Sequence, residues 1–204
     1  MEVLVTVIIP TYKRSVQYLS RAIASVMNQT YRRIEIIVVD DNPCDYKNCS
    51  NVENFMNSIV SDQILYYKNE VNIGASLSRN KGIAYAHGSY ITFLDDDDEY
   101  MPDKVLHQVE FMLKTGCDLS FSNMVMYNDK GKIVDFRDYS DIWSFDNHEL
   151  LKYHLMKHLT GTPTFMFKTE SLRQVGGFDN VKSGQEFYLM LKSIQNGLVI
   201  RYLN

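Results

Sequence analysis

Cysteine and proline are scarce in this sequence, at three and four in 204 residues, and no long apolar run interrupts it. Three cysteines, Cys44, Cys49 and Cys117, build no disulfide framework and suit a reducing compartment. A metal shared by Cys44 and Cys49 would lack a third or fourth soft ligand at useful spacing. The longest apolar stretches, Val3 to Ile9 and Ile34 to Val39, fall far short of the roughly 20 residues that a membrane-spanning helix needs. The start of the chain runs straight into the first of them, with no basic segment and apolar core of a secretory signal. Lys and Arg, 21 against 25 Asp and Glu, are scattered and leave a net charge of −4, so no basic face for nucleic acid is expected. Together these absences point to the cytoplasm, with attachment to the inner face of a membrane left open.

What is present is an ordinary globular balance, 45% hydrophobic and 23% charged, in a length that suits one core and one domain. Fourteen Tyr and ten Phe are many for this length and suggest aromatic surface near a sugar or a partner. Val3–Ile9 is β-branched, nearly continuous and stopped by Pro10, as a parallel strand buried on both faces should be. Val16, Leu19, Ala22, Ile23 and Val26 follow at helical spacing. Strands are then expected at 35–39, 64–67 and 90–94, with helices at 51–60, 75–86 and from Pro102 onward, the last burying Val105, Leu106, Val109, Met112 and Leu113. This alternation predicts an α/β fold with a mostly parallel central sheet flanked by helices. Beyond it the pattern loosens. One strand is expected over 119–127, a turn at 128–131, and an aromatic, poorly periodic loop over 136–145. Helices at 150–159, 169–175 and 184–195, with strands at 164–167 and 198–203, complete the reading.

Two acidic groups sit at the ends of buried strands, Asp40-Asp41 and Asp95-Asp96-Asp97-Asp98. Open α/β sheets bind ligands outside the carboxyl ends of their strands, so both groups stand at the expected mouth. Four consecutive carboxylates repel one another, and a hard divalent cation, Mg²⁺ or Mn²⁺, removes that cost. A solvated acidic turn ahead of the Pro102 helix is the plainer alternative for one or two of them. Asp40-Asp41 reads either as a turn accepting backbone N–H groups or as a site for a donor from a base or sugar. Gly74 and Arg79 place a tight turn, a helix N-terminus and a cation together, which favours phosphate. No Gly-x-Gly-x-x-Gly follows the first strand, which disfavours a dinucleotide fold.

Pro10-Thr11-Tyr12-Lys13-Arg14, Asp40-Asp41, Asn72-x-Gly74 leading to Arg79-Asn80, and Phe93-Leu94 before the four aspartates occur in the order and spacing of the family 2 glycosyltransferases. Gly176-Gly177-Phe178-Asp179 and the segment from Gln185 resemble that family's later half, so the resemblance covers essentially the whole chain. It implies a single-domain, Rossmann-like GT-A fold, with residues 1–100 binding a nucleotide sugar and 101–204 forming an acceptor and catalytic half that continues past Asn204. It also implies inverting transfer from a nucleotide-diphosphate sugar, by default a UDP-sugar, to a saccharide or lipid-linked acceptor, as in bacterial surface-polysaccharide synthesis. By position, Thr11 and Tyr12 would line the base pocket, Asp41 would accept the base's imide N–H, and Arg79 would lie near base and phosphates. Asp97 would hold the metal and Asp96 the ribose, although four aspartates leave the register open and Asp95 stands beside Asp97 as a ligand. The family's base is an Asp in a Glu-Asp pair; here the pair reads Gln185-Glu186, so Glu186 stands as base, with Asp179 as the acceptor-side alternative. The longer side chain puts efficient catalysis in question. A silent nucleotide- or carbohydrate-binding module and a sugar-phosphate nucleotidyltransferase are the competing readings; the latter would want a Gly-rich basic loop where Pro10–Arg14 stands.

Overall fold

A computed structural model describes residues 3–43, 49–128, 130–159 and 161–204. Cys44, one of the pair weighed above as metal ligands, lies outside the described residues. The first half alternates as its apolar periodicity predicts: β1 (Val5–Thr11), α1 (Val16–Met27), β2 (Ile34–Asp40), α2 (Cys49–Ser58), β3 (Ile64–Lys68), α3 (Ala75–Tyr85), β4 (Tyr90–Phe93) and α4 (Lys104–Thr115). Then come β5 (Leu119–Ser122), β6 (Met124–Tyr127), β7 (Ile133–Arg137), α5 (Asn147–Lys157), β8 (Met166–Lys168), α6 (Thr169–Gln174), α7 (Gln185–Gln195) and β9 (Ile200–Leu203).

Seven strands form one sheet in the order β3-β2-β1-β4-β8-β5-β9. All neighbours are parallel except the three-residue β8, which runs antiparallel to both β4 and β5. The alternation of side chains along β1 and β2 divides the core in two. Val5, Val7, Ile9, Ile36 and Val38 pack with Leu19 of α1, Val52 of α2 and Val105 of α4 on one face. Ile8, Ile37 and Val39 pack with Ile83 of α3, Leu150 of α5, Leu172 of α6 and Leu189 of α7 on the other. Both faces are thereby covered, which is why β1 and β2 are apolar without alternation.

Three expectations are corrected. The strand over 119–127 is two: β5 joins the main sheet, whereas β6 pairs antiparallel with β7 in a separate hairpin. Asn123 sits at the break and accepts a hydrogen bond from the Tyr202 hydroxyl of β9. The aromatic stretch 136–145 is not all loop, since Phe136 belongs to β7 and Tyr139 is buried edge-on against Phe121. On α4, Leu113 is exposed, and Gln108 takes a core position by donating to the Thr164 carbonyl at 2.8 Å and to Ser120 Oγ at 3.1 Å. No helix among the described residues is long and apolar enough to cross a membrane.

Candidate active site

β1, β2 and β4 end side by side, so Thr11, Asp40-Asp41 and the turn Asp95–Asp98 meet at one edge of the sheet. Thr11 Oγ1 donates to Asp96 Oδ2 at 2.7 Å across β1 and the acidic turn. Arg14, just beyond β1, reaches Asp97 at 2.5 Å and Asp96 at 3.5 Å. Burial raises the Asp96 carboxyl to about 6; Thr11 and Arg14 oppose the shift and the charges of Asp97 and Asp95 reinforce it. Asp98 is also raised to about 6, first by desolvation and then by Asp95, Asp97 and Asp96. Much of its surface opens into the cleft, so water offsets the first of these. Arg14 therefore leaves part of the acidic turn's repulsion unrelieved.

Asp41 is almost fully buried, at 2% exposure, and its carboxylate is fully engaged. Oδ1 accepts from Asn69 Nδ2 and the Ile73 N–H, both at 2.9 Å. Oδ2 accepts from Asn72 Nδ2 at 2.7 Å and the Gly74 N–H at 2.8 Å. A carboxylate has about four acceptor positions, so accepting an imide N–H from a base would require one of these donors to give way. What Asp41 does in this state is fold the 69–74 loop onto β2. Gly74 closes that loop at φ +88°, a left-handed value that costs glycine little, and the next residue opens α3. Asp40 is held similarly, by Asn42 and by the Tyr66 hydroxyl at 2.6 Å.

Arg79 lies one turn into α3 and is 7% exposed. Its guanidinium donates to Asp95 Oδ1 at 2.5 Å and to Gln185 Oε1 of α7 at 2.8 Å, with its Cζ 5.3 Å from the centre of the Phe178 ring. Its Nε, with Ser76 Oγ, is buried without a hydrogen-bond partner. Two unmet polar atoms beside a helix N-terminus, whose first amides have no intrahelical acceptor, make an environment suited to an anion. Asn80, next along α3, donates to the Phe178 carbonyl and accepts from the Phe178 N–H, both at 2.8 Å. Gly177 is required there: a Cβ would lie 2.5 Å from Asn80 Oδ1, and its φ is +61°.

These contacts set α7 across the mouth. A cleft of about 340 Å³ is lined by Arg79, Asp95, Asp98 and Glu186, together with Arg137 of β7 and the turn at Gly161–Pro163. Glu186, in the first turn of α7, is half-buried and has no hydrogen-bond or ion-pair partner among the described residues. The other sequence-derived candidates lie elsewhere. Tyr12 is 41% exposed beyond β1, with Lys13 Nζ 5.0 Å from its ring centre. Asp96 and Asp97 point toward Arg14 rather than into the cleft. Asp179 forms a surface ion pair with Lys192 at 2.7 Å, outside the cleft lining. Sequence reading missed Gln185 as the acceptor for Arg79, and Arg137 and Asn69 altogether. Asn80 entered it only through the Arg-Asn pair one turn into α3, without its clasp on Phe178.

Whether the acidic turn suits a divalent cation is a matter of its donors. Among the described residues no three His, Cys, Asp or Glu side chains converge to hold one ion. Hard cations such as Mg²⁺, however, commonly take one or two carboxylates and draw their remaining oxygens from phosphate and water. Hard carboxylate oxygens with unrelieved repulsion, next to an anion-suited helix end, fit that pattern.

The family model described as glycosyl transferase family 2 matches residues 6–176. The chain is 31% identical, over 95% of its length and 65% of the relative's, to an uncharacterised glycosyltransferase of Methanocaldococcus jannaschii. It is 28% identical, over 98% of its length and 76% of the relative's, to TuaG of Bacillus subtilis, whose name assigns it to teichuronic acid biosynthesis. Among solved structures, S. aureus TarS 1-349 in complex with UDP-GlcNAc superposes with a TM-score of 0.74 at 21% identity, over 98% of this chain and 56% of that one. The mannosyltransferase PcManGT of Pyrobaculum calidifontis, in complex with GDP-Man and Mn²⁺, superposes with a TM-score of 0.72 at 16% identity, over 100% of this chain and 55% of that one. At these identities the structural matches speak for the shared fold. The chain thus spans a little over half the length of both solved structures and 65% of its archaeal relative.

Proposed function

The chain belongs to glycosyl transferase family 2, and from that premise we propose that its cleft transfers a sugar, with inversion, from a nucleotide-diphosphate sugar to an acceptor hydroxyl. The reading rests chiefly on one observation: an unpartnered carboxylate, Glu186, lines the same cleft as Arg79 and the acidic-turn residues Asp95 and Asp98. A free base and a cationic leaving-group site bordering one cavity are the two groups that displacement at an anomeric carbon needs. A UDP-sugar is the donor proposed first, and a saccharide or lipid-linked alcohol of surface-polysaccharide synthesis the acceptor. TarS, bound to UDP-GlcNAc in its solved form, supports that order.

In this mechanism Glu186 takes the proton from the acceptor hydroxyl as its oxygen bonds to the anomeric carbon. The bond from that carbon to the phosphate oxygen breaks, and the nucleoside diphosphate leaves with the electron pair. Arg79 and the first turn of α3 hold the phosphates, and Gln185 and Asp95 keep the guanidinium from turning away. Tyr12 gives the base an aromatic face, with Thr11 beside it. Asp41 acts by holding the 69–74 loop that borders the nucleotide, and Asp96 lies on the ribose side. A bound Mg²⁺ or Mn²⁺, held by Asp95 and by Asp97 once released from Arg14, would supply positive charge to the leaving diphosphate. Asp179 is an acceptor-side surface group with no part in the proton transfer.

The test is release of UDP from a panel of UDP-sugars with Mn²⁺, with chelator, and in Glu186→Gln. Manganese-dependent release that falls about 100-fold in Glu186→Gln, with UDP affinity unchanged, is the expected result. Unaltered turnover in the variant would remove Glu186 as the base. Release of pyrophosphate from UTP and a sugar phosphate, with no transfer, would favour nucleotidyl transfer instead, and binding without any turnover would favour a silent module.

A further inference from the structure

The cleft contains a second cation that the transfer mechanism above leaves unused. Arg137 ends β7, on a hairpin that belongs to no part of the main sheet. Register places it opposite Met124, which also lines the cleft, so that one face of the hairpin forms the cleft's outer wall. The opposite face carries Val125 across from Phe136, both exposed. Arg79, the other cation in the lining, is buried and committed to Asp95 and Gln185. Arg137 is 44% exposed at its side chain and makes one contact, from Nε to Asp135 Oδ2 at 3.2 Å. Its two terminal nitrogens have no partner among the described residues. It forms no ion pair with Asp95, Asp98 or Glu186, although all four residues line the same space.

A guanidinium with its planar fork free, at the rim of a cleft, presents parallel N–H donors spaced for two oxygens of one phosphate or carboxylate. A bare ammonium would not impose that geometry. Simple neutralisation of the carboxylates would show as an ion pair with one of them, and none forms. We propose that Arg137 is an oxyanion-binding residue of this cleft, whose fork receives a phosphoryl group of a substrate in the space that Glu186 also lines. The proposal rests on the cleft being the transfer site. The phosphoryl group has two sources, a phosphorylated acceptor or the donor's diphosphate, and position favours the acceptor. Arg137 lies on the hairpin side of the cleft, while the anion-suited end of α3 lies on the sheet side with Asp95. Asp135 tunes the site by occupying Nε, which leaves the two terminal nitrogens as the remaining donors.

The test titrates inorganic phosphate into protein saturated with UDP, which fills the donor's own phosphate positions. UDP affinity is measured alongside, in wild type, Arg137→Gln, Arg137→Lys and Asp135→Asn. Expected is phosphate binding to the UDP-loaded protein that weakens about tenfold in Arg137→Gln and less in Arg137→Lys, which keeps charge without the fork. In Asp135→Asn it should tighten two- to threefold by roughly the screened charge removed. UDP affinity unchanged in Arg137→Gln assigns the oxyanion to the acceptor. A tenfold loss of UDP affinity, with no phosphate binding to the loaded protein, assigns it to the donor. Phosphate and UDP affinities both unmoved in Arg137→Gln would overturn the proposal. Wild-type protein that fails to bind UDP at all would count against the nucleotide-sugar reading; phosphate titrated into the unloaded variants would then still decide for or against Arg137.

Discussion

Asp41 and Glu186 are both carboxylates at the rim of the same sheet, and the chain uses them in opposite ways. Asp41 is buried and accepts four hydrogen bonds from its own chain, so its negative charge is consumed in folding the 69–74 loop. Glu186 is half-buried and accepts none, so its charge remains for a ligand. The difference extends to their surroundings. Around β1, β2 and β4 the carboxylates of Asp40, Asp41, Asp95, Asp96 and Asp97 are each paired within the chain, leaving Asp98 without a side-chain partner among the described residues; on the α7 and hairpin side, Glu186 and the fork of Arg137 are unpaired as well. Groups that hold structure must be satisfied before a ligand arrives, whereas groups that work on a ligand must be left unsatisfied until it does.

The largest effect at neutral pH should come from breaking the satisfied side. Asp41→Ala leaves the Ile73 and Gly74 N–H groups without that acceptor, while the Asn69 and Asn72 amides keep Ser78 Oγ and the Asp41 carbonyl. Its urea midpoint should fall by the equivalent of about 2–3 kcal/mol, at roughly 1–3 kcal/mol for each unmet group and less where water reaches it. Glu186→Gln, a charge removal of the same kind, should change stability by less than about 0.5 kcal/mol. Equal losses in the two variants would erase the comparison.

A second way to sharpen it uses pH. His154 of α5 is fully buried, accepts the Leu159 N–H on Nδ1 at 3.0 Å and contacts the Phe187 carbonyl through Nε2 at 3.0 Å. Its ring stacks on Phe187, directly behind Glu186. Burial lowers its pKa from 6.5 to about 4, against the contact with Phe187 and with a small further push from His158. The unfolded chain therefore takes up the proton first. This residue's stabilisation is complete above about pH 6.5 and declines as pH falls toward 4. At about 1.4 kcal/mol per unit, it should lose roughly 3 kcal/mol over that window. The difference in urea midpoint between wild type and His154→Gln should shrink as pH falls from 7 to 4.5, and a constant difference would refute the buried neutral imidazole. The smallest effect is expected at the surface: Asp179→Asn, breaking an exposed pair with Lys192, should cost no more than about 0.5 kcal/mol and leave turnover intact.

The first four strands and their helices were legible because each is buried on both faces or one, and periodicity reports burial directly. Beyond α4 that signal fails. β8 is three residues long and antiparallel, and β6 carries a half-exposed alternation that merges in sequence with β5. The acidic turn and Arg79 could be located from their places after strand and glycine. Their partners could not, since Gln185 meets Arg79 from 106 residues away and Asn69 meets Asp41 from 28. Nor does a sequence say which carboxylates are already occupied. That Asp41 is saturated and Glu186 is not depends on loops whose paths no local pattern encodes.

The two-way clasp between Asn80 and Phe178 has a consequence for how the molecule is made. Its partners are 98 residues apart, so Asn80 leaves the ribosome long before the peptide unit that completes it. At about 5–20 residues per second, that interval is roughly 5–20 s. During it α3 can dock on β1 and β2, but the strip of α3 that carries Arg79 and Asn80 has nothing to close against. The nascent chain thus holds a paired acidic mouth and an unpaired helix edge until the Gly-Gly-Phe segment emerges. The position of Glu186 is settled last, in the final stretch of translation of this segment, and a ribosome-bound chain cut before Phe178 should expose Arg79 to solvent while its first four strands are already protected from hydrogen exchange.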